Sequence, residues 1–256
     1  MKETKRLFFI VLFLLSNSVL FAQKQDLNIV YIGDSITQGV QMNDPATDAP
    51  PATTTAWLRQ QADMGEIEFS NQGVSGFTTV DFLPSTHTVF QKADHAATAF
   101  SDQQAMLVFS IMLGTNDSAV TGPNGSPVSP EQYHDNLKTI IDSLLKDYPT
   151  ARVIIQVPIW YSPNTYNGSK YLQEGLTRLQ SYFPEIDKLV NEYATSKPKQ
   201  VFASGREAFD YFNKNYKTDL IPEPGKQGTF YLHPNKQGAV ALGKFWAEAI
   251  YKIVKE

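Results

Sequence analysis

Four short segments of this 256-residue chain carry side chains suited to acyl transfer. Gly33-Asp34-Ser35-Ile36-Thr37-Gln38-Gly39 offers a hydroxyl, and Asn71-Gln72-Gly73-Val74-Ser75-Gly76 a flexible backbone amide. Gly114-Thr115-Asn116-Asp117 adds a side-chain amide, and His233-Pro234-Asn235 an imidazole. A hydroxyl that attacks a carbonyl needs a base for its proton and N–H donors for the oxyanion, and these four segments hold those parts. An α/β-hydrolase elbow would need Gly-x-Ser-x-Gly, whereas Gly73-Val74-Ser75-Gly76 runs on into Phe77. That leaves Ser35 as the hydroxyl.

The segments matter because of what precedes them. Leu27–Ile32 is an apolar run ending at Gly33, a buried first strand; a second strand lies around Ile67–Phe69, after a helix expected over 56–64. Met106–Leu113 is the best central strand. Tyr133, Leu137, Ile140, Ile141 and Leu144 fall on one face of a helix that Pro149 ends, and Val153–Val157 follows as a strand. Two helices are expected between Lys170 and Thr195, a short strand at 200–202, and a closing helix after Pro234. Alternating strands and helices predict an α/β, three-layer α/β/α sandwich on a mostly parallel five-stranded sheet. In such sheets, sites form at the carboxyl ends of strands, where three of the four segments begin. No linker divides the chain after residue 22.

With the four blocks in order, the sequence resembles the SGNH hydrolases, the GDSL esterase and lipase family, whose fold is flavodoxin-like. The resemblance runs from about Leu27 to the last helix. It implies that Ser35 is the nucleophile and His233 the general base. It further implies that the Ser35 and Gly76 N–H groups and the Asn116 amide form the oxyanion hole, while Asp34 holds the nucleophile loop. Ile36 stands where the older motif name has Leu, a volume-conserving change. The larger departure is Phe230, which occupies the position of the family's Asp, three residues before the His. Either Glu223 or Asp219 orients His233, or a backbone carbonyl or water partners its Nδ1 in a Ser35–His233 dyad.

The expected activity is ester hydrolysis, with carbohydrate O-acetyl groups the leading substrate. A lipid-directed esterase and an inactive carbohydrate-binding module are the alternatives. Trp160 and Tyr161, after the strand ending at Val157, are expected to offer flat faces to a sugar. His87, His95 and His134 form no metal cluster with nearby acids, and His134 is expected to be solvated; neither metal nor cofactor is anticipated.

Composition sets the remaining bounds. With no cysteine, a thiolate zinc site and a cysteine nucleophile are impossible, as is lipid attachment through cysteine. A formal charge of −4 disfavours nucleic acid as a partner. Lys2, Lys5 and Arg6 precede an apolar run from Leu7 to Leu15, and Ala22 supplies a small residue before Gln23. That layout is a signal peptide over residues 1–22, implying a secreted or periplasmic enzyme with no stable membrane insertion after cleavage.

Overall fold

The computed structural model describes residues 24–256. The segment read as a signal peptide lies outside the described residues. The apolar run of β1 (Gln25–Gly33) is buried on both faces, as expected of a strand in the middle of a parallel sheet. Ser35 opens the four-residue helix α1 (Ser35–Gln38), followed by α2 (Pro45–Asp48) and α3 (Pro50–Leu58). The helix expected over 56–64 is therefore α3, displaced toward the N-terminus. Pro50 and Pro51 start it, because prolines are tolerated in a first turn whose N–H groups have no intrahelical acceptor. Thr54 and Thr55 then hydrogen-bond back to the carbonyls of those prolines.

β2 (Met64–Gly73) leads through α4 (Val89–Thr98) to β3 (Met106–Met112) and α5 (Pro130–Asp147). β4 (Arg152–Ile155), α6 (Leu172–Ser196), β5 (Val201–Ala203) and α7 (Glu207–Asp219) follow. The five strands form one sheet in the order β2-β1-β3-β4-β5, with every pairing parallel. Where two helices were expected between 170 and 195, α6 runs unbroken through Pro184. Leu176, Leu179, Tyr182, Phe183, Ile186 and Leu189 are buried along it on both sides of the proline. That continuous packing outweighs the hydrogen bond a proline removes.

The sequence pattern did not anticipate a second, two-stranded sheet, β6 (Leu220–Gly225) paired antiparallel with β7 (Gly228–Pro234). The hairpin delivers His233 to the start of α8 (Lys236–Val254), whose N-cap Asn235 accepts from the Gly238 N–H. α8 packs on α3, and its Trp246 stacks on Tyr31 of β1 at 6.0 Å; α5 and α6 pack together to cover the sheet's other face. Among the described residues, no helix is long and apolar enough to cross a membrane.

Candidate active site

β1 ends at Gly33, and Asp34 caps α1 by accepting from the Ile36 N–H at 2.9 Å. This places Ser35 at the first helical position, where a backbone N–H has no intrahelical acceptor. The neighbouring strand β2 comes so close that a Cβ on Gly73 would stand 2.3 Å from the Gln38 nitrogen; only glycine fits. Beyond it, residues 74–77 form a turn closed by the Phe77 N–H on the Val74 carbonyl, with Gly76 at φ +80°. Its third residue needs the left-handed conformation that glycine adopts without strain.

Ser35 Oγ lies 3.0 Å from His233 Nε2, and His233 Nδ1 lies 2.8 Å from Glu223 Oε1. The chain positions 35, 223 and 233 thus meet in one line of contacts, each residue exposed by less than a tenth of its surface. A carboxylate can only accept, so Nδ1 carries the proton and Nε2 is free to receive one from Ser35. Burial alone would raise the Glu223 carboxyl. Hydrogen bonds from His233 and Gln41, with the electrostatic attraction of the His233 ring, outweigh it and hold the group below its ordinary range. Gln41 Nε2 donates to the other oxygen, Oε2, at 2.7 Å.

Asn116, at the end of β3, is buried and fixed on both sides of its amide. Its Nδ2 donates to the Phe77 carbonyl at 2.9 Å, and its Oδ1 accepts from the Tyr171 hydroxyl at 2.6 Å. Phe77 follows Gly76 directly, so this bond ties the Asn116 amide to the glycine turn. Behind the site, burial raises the carboxyls of Asp34 to about 6 and of Asp117 to about 7. Asp117 Oδ1 accepts from the Thr79 N–H at 2.9 Å and from the Thr79 hydroxyl.

Several expected residues lie elsewhere. Asp219 does not reach His233: its carboxylate accepts from Tyr211 at 2.6 Å, Thr218 at 2.7 Å and Gln237 at 3.1 Å. That shell joins α7 to α8 instead. Tyr161 is fully buried, with its hydroxyl 2.9 Å from Ser118 Oγ, and has no face to offer a sugar. Trp160 is 7% exposed and tilted against Tyr216 at 5.1 Å, and it lines a cavity of about 220 Å³ with Asn164 and Tyr231. His134 is buried rather than solvated, its Nδ1 lying 3.0 Å from Asp135. Among the described residues, no three His, Cys, Asp or Glu side chains gather where a metal could sit.

Gln41 and Tyr171 are the site residues that motif reading missed. Neither belongs to a recognisable block, and both act through side-chain bonds across long separations in sequence.

A doubly wound α/β sheet carrying serine, histidine and carboxylate in contact beside amide donors suits attack on an ester carbonyl. Residues 31–241 match the model of the GDSL-like lipase/acylhydrolase family, and the chain belongs to that family. It is 31% identical over 132 residues to the uncharacterized lipoprotein YqeF of Bacillus subtilis; the match takes in 52% of this chain and 49% of that protein, about half the relative's length. Among solved structures it is similar to a catalytic mutant of Axe2, an acetylxylan esterase from Geobacillus stearothermophilus. The TM-score is 0.58 at 18% identity, covering 91% of this chain and 96% of the other. A family 3 carbohydrate esterase from Clostridium thermocellum aligns with a TM-score of 0.59 at 16% identity, covering 90% and 98%.

Proposed function

We propose that this chain is an exported serine esterase that removes O-acetyl groups from carbohydrates. The contact line Ser35–His233–Glu223 carries the reading. His233 Nε2 takes the proton as Ser35 Oγ attacks the ester carbonyl, and Glu223 stabilises the imidazolium that forms. The Ser35 and Gly76 N–H groups and Asn116 Nδ2 hold the oxyanion. Collapse expels the alcohol, which takes the proton back from His233. Water, deprotonated by His233, then attacks the acyl group on Ser35; carboxylate leaves and the serine is restored.

Substrate class rests on two supports. Acetylxylan and carbohydrate esterases are among the proteins that share this fold. Among the described residues, Val240 is the one large apolar side chain standing exposed, so this surface has no broad apolar face for lipid. Export is supported by the basic and apolar pattern of residues 1–22, and by the lipoprotein name of the Bacillus relative. The test compares wild type with Ser35→Ala on p-nitrophenyl acetate and on a panel of acetylated xylo-oligosaccharides. Acetate release by wild type and none by the folded variant is the expected result. Turnover unchanged in Ser35→Ala would sink the mechanism. Inactivity of wild type on every acetylated sugar would sink the substrate.

A further inference from the structure

We propose that Tyr171 is a positioning residue for the oxyanion hole, acting through Asn116; the inference rests on the reading of Asn116 as an oxyanion donor. The Phe77 carbonyl can only accept, so the Asn116 atom 2.9 Å from it is Nδ2, and Oδ1 must face the Tyr171 hydroxyl at 2.6 Å. One N–H of Nδ2 is thereby used on Phe77, and the second is left to meet the substrate oxygen. The Tyr171 phenol is buried, and burial pushes its pKa well up, so it stays protonated and can only serve Oδ1 as a donor. A donor on the amide oxygen draws charge from the amide and strengthens its N–H as a donor in turn.

The surroundings hold the phenol in that direction. Tyr171 directly precedes α6, and its N–H and that of Leu172 both bond the Thr165 carbonyl, at 3.1 and 3.2 Å. Leu172 sits at φ +57°, a left-handed conformation that a leucine adopts only under constraint. The Tyr161 ring meets Tyr171 edge-on at 5.5 Å, and the Tyr161 hydroxyl engages Ser118, two residues beyond Asn116. A Cβ on Gly175 would stand 2.7 Å from that hydroxyl, so the first turn of α6 is packed against it. The tyrosine expected to stack on a sugar thus serves as the wall behind Tyr171.

The experiment is a double-mutant cycle on p-nitrophenyl acetate with Tyr171→Phe and Asn116→Ala, alongside arylboronic acid binding as a mimic of the tetrahedral intermediate. Tyr171→Phe keeps the ring and its packing. It is expected to lower kcat about five- to thirtyfold with KM unchanged, as for one hydrogen bond to the reacting assembly. Arylboronate affinity should weaken in parallel. Asn116→Ala should cost about 10²–10³-fold, and adding Tyr171→Phe to it should cost nothing more. Equal losses from Tyr171→Phe in both backgrounds, or a wild-type kcat in Tyr171→Phe, would overturn the proposal while leaving the esterase reading intact. An unaffected Asn116→Ala would instead remove the oxyanion reading on which it rests. Should the phenylalanine variant not fold, Tyr171→Met, with similar reach and no hydroxyl, gives the same readouts.

Discussion

Glu223 stands directly across the β6–β7 hairpin from Phe230, the two residues being Cα partners in the antiparallel register. Position 230 is where the resemblance to the SGNH hydrolases would place an acid, three residues before the histidine. Here the carboxylate comes from the neighbouring strand and arrives at the same imidazole nitrogen, 2.8 Å from His233 Nδ1. The apolar ring of Phe230 is 1% exposed and packs against Gly225. Phe230→Asp would bury a second carboxylate beside Glu223 and is expected to destabilise the fold rather than improve the enzyme.

Glu223→Gln tests the acid. Gln41 donates to Oε2 at 2.7 Å while the His233 N–H faces Oε1 only at 3.4 Å, so an amide that keeps the shorter bond turns its oxygen to Gln41 and its NH2 to His233. Nδ1 is then forced to accept, the ring proton moves to Nε2, and the imidazole can no longer take the proton of Ser35. A loss of about 10²–10⁴ in kcat is expected, as for other triads held in the wrong tautomer. Asp219→Asn, remote from His233, should retain near-normal turnover of p-nitrophenyl acetate. If the two variants behaved alike, Glu223 would not be the orienting group.

Gln41 gives an independent check on that tautomer argument. Alone, Gln41→Ala frees one carboxylate oxygen at the surface and should lower kcat by about three- to tenfold, the scale of one charge-assisted hydrogen bond. Combined with Glu223→Gln, it should recover activity, because the His233 backbone N–H, 3.4 Å from Oε1, then favours the amide oxygen on the imidazole side. A double variant no more active than Glu223→Gln would refute the tautomer explanation.

The sheet and the Ser35–His233 contact were legible because their signals are local. Buried strands read as apolar runs, and Ser35, Gly76, Asn116 and His233 each fall in a short block in or beside a strand-end turn. Glu223 could be named as a candidate but not separated from Asp219, since the choice depends on strand pairing. The hairpin that decides it leaves no strand signal, because Pro222 and Pro224 make β6 look like a loop. They stand two apart, so both missing N–H groups fall on the same side of a strand whose one partner is β7. Trp160 and Tyr161 were misjudged for a similar reason. Composition shows that a segment is aromatic, and only the packing of 162 against Tyr231 and of 161 against Tyr171 shows which way the rings turn.

Asp117 predicts a pH dependence of stability. Its carboxyl is raised to about 7 by burial, against the 3.8 of an ordinary aspartate. Between those values the folded chain binds a proton that the unfolded chain has lost, so this group's contribution is fully present below about pH 4 and is lost as pH rises toward 7. Asp117→Asn keeps Oδ1 as the acceptor for Thr79 and removes the titration. Urea unfolding from pH 4 to 8 should show the variant gaining on wild type by up to about 1.4 kcal/mol per pH unit within the window. Parallel curves across that range would mean Asp117 is not protonated in the folded protein.

Acyl-chain preference separates a carbohydrate deacetylase from a lipid-directed enzyme. An acyl chain buried in an apolar tunnel gains about 0.8 kcal/mol per methylene, so six extra methylenes would favour an octanoyl over an acetyl ester by more than 10³-fold. Among the described residues, the rim around Ser35 carries polar groups. Gln38 Oε1 is engaged with the Ser75 N–H at 2.8 Å, Gln41 with Glu223, and Gly76 exposes bare backbone. A long chain leaving the ester would therefore stay in water and gain nothing, while its bulk must still pass the Gly76 turn. Acetyl and propionyl p-nitrophenyl esters are expected to be cleaved at least about tenfold faster, in kcat/KM, than the octanoyl ester. A rise in kcat/KM with each added methylene would show that an apolar channel opens beside Ser35, and would make a lipid the better candidate substrate.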